Sequence, residues 1–183
     1  LYPEGFVFDV AGMSIFSPDL EDLKAKCGFL NSSSALGFLQ AVAPTVNVQS
    51  GDVANLPVIE ADPALVNPVV DRLINIFRDD WNCYETSWDF GGNPLAILGA
   101  GSLEQHAWAH WKEAIDTTLQ AQELEQDNNR YFASLYGVES EVECAVPLSR
   151  VSLTRNPHFR YAPAKSMTRT EDEYKSLFFH DAA

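Results

Sequence analysis

Apolar positions follow helical spacing through the middle of this chain and alternate in two short stretches nearer its start. Gly5-Phe6-Val7-Phe8-Asp9-Val10-Ala11-Gly12 sets apolar residues at alternate positions between glycines, the pattern of a strand. Thr45-Val46-Asn47-Val48-Gln49 alternates in the same way and stops at the turn signal Ser50-Gly51-Asp52. Between them, Ser17-Pro18-Asp19-Leu20 predicts a helix start, with Ser17 as N-cap and Pro18 in the first position. Leu20, Leu23, Cys27 and Leu30 then recur at helical spacing as far as Asn31. A second short helix is predicted over 32–42, with Leu36 and Leu39 on its buried side and Pro44 beyond its end.

After Asn55-Leu56-Pro57-Val58-Ile59 and Asp62-Pro63, a stripe of Val66, Val69, Val70, Leu73, Ile74 and Phe77 predicts a capped amphipathic helix running up to Trp81. Glycines and Pro94 mark 91–102 as a loop. The longest helical pattern runs from Leu103 to Tyr136, with Ala107, Trp111, Ile115, Leu119, Leu124 and Phe132 along one face. Beyond Gly137, Pro147, Pro157 and Pro163 predict a strand or an extended tail. The expected class is α+β: a small β-element with short helices, two longer helices that brace it, and an extended C-terminal tail.

Composition narrows this picture. With 183 residues, 46% hydrophobic and 11% aromatic, the chain can bury a core as one domain with or without a tail. It has no apolar run long enough to span a bilayer and no secretion signal at its start, which predicts no membrane partner and a cytoplasmic location. It opens without Met, at Leu1-Tyr2-Pro3, and reads as part of something longer. Cys27, Cys83 and Cys144 form no CxxC pair, which fits reduced structural thiols better than zinc or disulfides. The formal charge of −14 is unevenly spread. Residues 1–144 hold 6 Lys/Arg against 22 Asp/Glu, whereas 145–170 hold five cations and no acid. The body would repel a phosphate backbone at long range, so any nucleic-acid contact must be local.

Several motifs invite chemistry. His106 and His110 stand one helical turn apart, but no Glu lies between them and no third ligand is evident, so a surface or packed pair is preferred to a metal site. Gly91-Gly92 and Gly99-Ala100-Gly101 do not have the spacing of a nucleotide loop and read as a connector. Asn156-Pro157-His158-Phe159 approaches the Asn-Pro-Pro-aromatic motif that holds the amino group of a flipped adenine. His158 replaces the second proline and no Gly-rich cofactor strand precedes it, so a turn exposing Arg155 and Arg160 is preferred. Glu123, Glu125 and Asp127 read as a solvated helix face. The basic tail is either a phosphate clamp or a segment that docks onto the acidic body.

The densest aromatic segment is Asp80-Trp81-Asn82-Cys83-Tyr84-Glu85-Thr86-Ser87-Trp88-Asp89-Phe90. Leu30-Asn31-Ser32 followed by Gln49, Gly51-Asp52 and Leu56-Pro57 resembles the segment closing a target-recognition domain in DNA methyltransferases and specificity proteins. The opening strand-like Gly5–Asp9, with Gly12 and Ser14-Ile15-Phe16, fits that likeness. The Asp80-Trp81…Glu85-Thr86-Ser87-Trp88-Asp89-Phe90 signature, the long helix, the stretch from Asn128 to Gly137 and Leu153-Thr154-Arg155-Asn156-Pro157 together resemble the BREX-type, phage-defence adenine-specific DNA methyltransferases. The resemblance runs over nearly the whole chain.

It implies a C-terminal, non-catalytic part of such an enzyme: 1–60 the end of a target-recognition-like domain, 61–144 a helical bracing region, 145–183 a basic tail and C-terminus. The cofactor loop and Asn-Pro-Pro-Tyr motif belong to a catalytic domain this chain does not contain. S-adenosylmethionine would therefore bind the full-length protein and no cofactor this chain. Double-stranded DNA is the implied partner. Thr45, Asn47 and Gln49 are candidates for reading base edges, or else form a packed strand face. Arg150, Arg155 and Arg160 are candidates for phosphate. Trp81, Trp88 and Phe90 are expected as structural anchors. The competing reading is an acidic module that binds other defence-complex subunits; a DNA mimic fits less well, because the acids are not regularly spaced.

Overall fold

A computed structural model describes residues 14–43, 48–96 and 101–160. The described residues form six α-helices and one 3₁₀ turn: α1 (Leu20–Leu30), α2 (Ser33–Val42), α3 (Ser50–Ala54), α4 (Pro63–Trp81), α5 (Leu103–Tyr136), the 3₁₀ turn Leu148–Arg150 and α6 (Pro157–Arg160). No strand occurs among them. The expected α+β class is thereby corrected to a helical one. Val48 and Gln49 lead directly into α3, where the Gln49 N–H donates to Asp52 Oδ2 at 2.8 Å. The end of that polar-apolar alternation is a helix cap, not a strand. Residues 138–160, expected as strand or extended tail, are irregular chain, the 3₁₀ turn and α6. The Gly5–Gly12 pattern, Thr45–Asn47 and the tail from 161 onward lie outside the described residues.

The chain divides into two compact units, Leu1–Asn75 with Glu123–Ala145 and Ile76–Gln122 with Val146–Ala183. In the first unit Phe29, Ala35, Leu56, Val66, Val70 and Phe132 make the core. Phe29 lies between Phe132 (ring centroids 5.7 Å) and Tyr136 (5.3 Å, stacked), so aromatic packing links α1 to the last turns of α5. The buried faces differ from those predicted. On α1 they are Ala25, Gly28 and Phe29, while Leu20 is exposed. On α2 they are Ser34 and Ala35, while Leu36 is exposed and Leu39 only flanks the core. On α5, Leu119 is exposed, and Ala114, Thr118, Ala121, Asn128 and Phe132 are buried. Small residues bury here because they let backbones come close. A Cβ built on Gly28 would stand 2.8 Å from Val66 Cγ1 and 3.1 Å from both Val70 Cγ2 and Asn128 Oδ1.

Side-chain caps finish the elements. Asp19, not Ser17, caps α1, accepting from the Glu21 and Asp22 N–H groups. Ser32 caps α2 and donates back to Phe29 O. Two adjacent amides of α5 then fasten this unit. Asn128 donates to Gly28 O at 2.9 Å; Asn129 accepts from Ser33 N–H at 2.9 Å and donates to Cys144 O at 3.3 Å. Tyr131 and Tyr136 hold the irregular stretch before α4: their hydroxyls accept from Asp62 N–H (2.9 Å) and Ile59 N–H (3.0 Å), and Tyr136 also donates to Pro57 O. α5 ends at Gly137, whose φ of 67° is the left-handed conformation of a helix C-terminus.

Two predictions follow from this packing. Gly28→Ala should lower stability by about 1–3 kcal/mol in urea titrations, because overpacking against a stiff, buried valine exceeds the roughly 1 kcal/mol gain in helix propensity. Burial raises the Glu125 carboxyl from its ordinary value to about 7, and no hydrogen bond or ion pair among the described residues offsets it. The folded chain therefore binds more protons than the unfolded chain between about pH 4.3 and 7, and this group's contribution to stability falls as pH rises through that window. Glu125→Gln should remove a loss of roughly 1–2 kcal/mol between pH 5 and 8, discounted for partial exposure, as read from paired urea midpoints.

Candidate functional site

The second unit is organised around a buried carboxylate. Asp80, in the last turn of α4, accepts four hydrogen bonds from one dipeptide: Thr154 N–H (2.8 Å) and Oγ1 (2.7 Å) on Oδ2, and Arg155 N–H (3.3 Å) and Nε (3.1 Å) on Oδ1. The side chains of Asp80 and Arg155 are only 5% and 13% exposed. An acid at a helix C-terminus opposes the helix dipole. Charge-assisted bonds to Arg155 and to two backbone amides outweigh that cost, each contributing about 1.5–3 kcal/mol.

The next residue completes the corner. Asn156 is fully buried; its amide donates to Leu148 O (2.7 Å) and Val151 O (2.8 Å), and its Oδ1 accepts from His158 N–H (3.0 Å). Val151 and Leu153 are buried beside it in sequence. The Asn-Pro turn is therefore a structural knot whose amide is spent internally. Gln122 adds a bond to Val146 O at 2.6 Å.

This corner fixes one wall of a groove of about 230 Å³. α5 supplies Ala107, His110, Trp111 and Ala114; Tyr84, Leu95, Thr154, Arg155, Pro157 and Arg160 complete it. Trp111 stacks on Trp108, centroids 5.0 Å apart and planes 9° off parallel. Arg160 donates through Nη1 to Tyr84 Oη at 3.2 Å and, at the limit, to Thr154 O at 3.5 Å.

Of the predicted site residues, Arg155 and Arg160 come together in this groove, with Arg155 also bound to Asp80. Arg150 is exposed at the end of the 3₁₀ turn and does not line the groove. Gln49 is exposed at the start of α3, in the first unit. Thr45 and Asn47 lie outside the described residues. Trp88 is 90% exposed, Trp81 53% and Phe90 half-buried, so core burial within the chain does not hold the two indoles. Ser87 orders that turn instead, donating to Asn82 Oδ1 at 2.6 Å and accepting from Asp89 N–H at 3.1 Å. His110 lines the groove, whereas His106 Nε2 is buried without a partner. Among the described residues no group of three or more His, Cys, Asp or Glu could hold a metal ion. Cys83 is a poor nucleophile, since burial pushes its thiol up. Among the described residues no helix is long and apolar enough to cross a membrane.

Sequence reasoning missed Asp80 as the partner of Arg155. Its signal was one of two adjacent acids, Asp79 and Asp80, ending an apolar helix, with a Thr-Arg pair in the acid-free stretch.

Comparison with known proteins shows what the chain is similar to in sequence. The chain is 37% identical over 148 residues to the adenine-specific methyltransferase PglX of Lacticaseibacillus casei (strain Zhang), a match covering 76% of the chain and 12% of that protein. It is 26% identical over 172 residues to the adenine-specific methyltransferase BrxX of Escherichia coli O9:H4 (strain HS), covering 90% of the chain and 13% of that protein. No family model matches. Over most of its length, the chain is homologous to a segment of the PglX and BrxX adenine-specific methyltransferases. The resemblance carried by the Trp-bearing signature and the Leu-Thr-Arg-Asn-Pro element is borne out. In this PglX/BrxX-like chain those two elements are joined through Asp80.

The Asp80 node makes its own prediction. Asp80→Asn keeps the shape but turns a donor toward Thr154 or Arg155 and leaves the guanidinium unpaired. It should cost about 3–5 kcal/mol, the usual penalty for breaking a buried pair, measured by denaturant unfolding.

Proposed function

We propose that this chain is a non-catalytic, C-terminal part of an S-adenosylmethionine-dependent, adenine-specific DNA methyltransferase of a phage-defence system, and that it contributes to DNA target recognition. The observation that carries the reading is the homology to PglX and BrxX, with the match spanning about an eighth of each relative. The Asn156 geometry supports the non-catalytic part. Its amide hydrogens and Oδ1 are already bonded within the chain, which leaves them unable to hold the amino group of a flipped adenine.

Contact with DNA would be local. The acidic body repels phosphate at long range, but solvent ions screen that field within about 10 Å. Arg150 and Arg160, both exposed, can reach phosphate oxygens there, with Arg155 held behind them by Asp80. Exposed Trp88, flanked by Glu85 and Asp89, favours a second reading in which this face binds another subunit of the defence complex.

Salt-dependent binding of a labelled duplex separates the two readings. The Arg150→Ala/Arg160→Ala double variant should weaken duplex binding about tenfold or more and reduce the log–log salt slope by about 2, one for each lost phosphate contact. An unchanged slope would transfer the DNA contact to other parts of the protein and leave the subunit-binding reading in its place.

A further inference from the structure

The groove in the second unit differs from the rest of this acidic chain. Among the described residues, two guanidiniums, an imidazole, a phenol and an indole line it, and no carboxylate does. Asp80 is spent on Arg155 through Nε, so to first order that pair is neutral and Arg160 is the groove's net charge. Arg160 is also oriented in advance. Tyr84 Oη and Thr154 O both engage Nη1, and its other N–H groups have no partner among the described residues. A planar fork held in this way suits the oxygens of a phosphate better than a point charge.

The rest of the lining is apolar and flat. Trp111, stiffened by its stack on Trp108, stands one position from His110 on α5, with Ala107, Ala114, Leu95 and Pro157 completing the wall. An anion alone would not call for this surface, and an apolar ligand would not call for Arg160. At about 230 Å³ the groove is smaller than the ~300–1,000 Å³ of sites for drug-sized ligands and matches one ring beside one anionic group.

Resting on the nucleic-acid reading above, we propose that this groove binds a single nucleotide unit of a DNA strand, with its phosphate on Arg160 and His110 and its base against Trp111. Aromatic stacking is tolerant of base identity, so the groove would grip a strand without reading its sequence.

The test is titration of the chain with dAMP, followed by ligand NMR, in parallel with deoxyadenosine and inorganic phosphate. The expected result is saturable binding of dAMP, with H2 and H8 shifted upfield by the indole, and binding at least about tenfold weaker for either half alone. Arg160→Ala and His110→Ala should each weaken dAMP by a comparable factor, and Trp111→Leu should abolish the upfield shift. His110→Ala keeps the test decisive should Trp111→Leu fail to fold. Equal affinity for phosphate and dAMP, binding untouched by the variants, or no saturable binding at about 10 mM would each overturn the proposal. A chain that ignores dAMP yet binds duplex with the salt slope expected above loses this groove as a site but keeps its role on DNA.

Discussion

The carboxylate of Asp80 is the constraint on which the second unit depends. It sits where a helix least favours an acid, at the negative end of α4, and it is nearly excluded from water. Both costs are met by a single dipeptide 74 residues further on, which presents two backbone amides, a hydroxyl and a guanidinium to it. Because the two backbone donors belong to Thr154 and Arg155, the bond fixes main chain rather than only side chains. The following Asn156 then locks Leu148 and Val151 to the same turn, and the short α6 ending at Arg160 starts from a settled position. In this chain the Trp-bearing signature supplies the acid and the Leu-Thr-Arg-Asn-Pro element its four donors.

The first unit uses the same device with neutral groups. Asn128, Asn129, Tyr131 and Tyr136 project from two adjoining turns of α5 and bond to backbone groups that no regular element satisfies. Burying a peptide group unpaired costs about 1–3 kcal/mol, so the bond from Asn128 to the buried Gly28 carbonyl contributes most, while the tyrosine bonds tether an exposed segment. The close approach at Gly28 belongs to this arrangement, since Asn128 reaches the Gly28 carbonyl only because no side chain intervenes. Burial at Tyr136 pushes its phenol above the ordinary value, against the bond from Ile59, and its hydroxyl donates to Pro57 O.

These features explain what was legible in the sequence. The extents of α4 and α5 could be read from their long helical periodicity, with Pro63 marking the start of α4 and Gly137 the end of α5. The buried faces could not. Periodicity assumes that the largest apolar side chains point inward, but here Ala35 is buried while its neighbour Leu36 is exposed, and Gly28 does more than Leu20. Alternation at Thr45–Gln49 suggested a strand, yet its described end is the cap of α3, and polar residues in caps and on strands look alike over so few positions. At the candidate site Arg155 and Arg160 stood out as cations without acids nearby in sequence. Asp80 did not, because a partner 74 residues away leaves no local pattern.

Charge segregation then acquires a physical meaning that net charge hides. A chain of −14 should be poor at holding any anion, and at distances beyond about 10 Å that field is screened rather than reversed. What matters at contact is which charges have already been used. Asp80 removes Arg155 from the balance and thereby fixes the backbone beside it, so that, among the described residues lining the groove, Arg160 is the guanidinium without an acid partner. A fixed cation beside an indole needs little reorganisation to meet a ligand, and it loses less conformational entropy than an unanchored arginine would. Local preorganisation of one charge can therefore outweigh an unfavourable total, and the acidic body would confine contact to ligands that reach the groove itself.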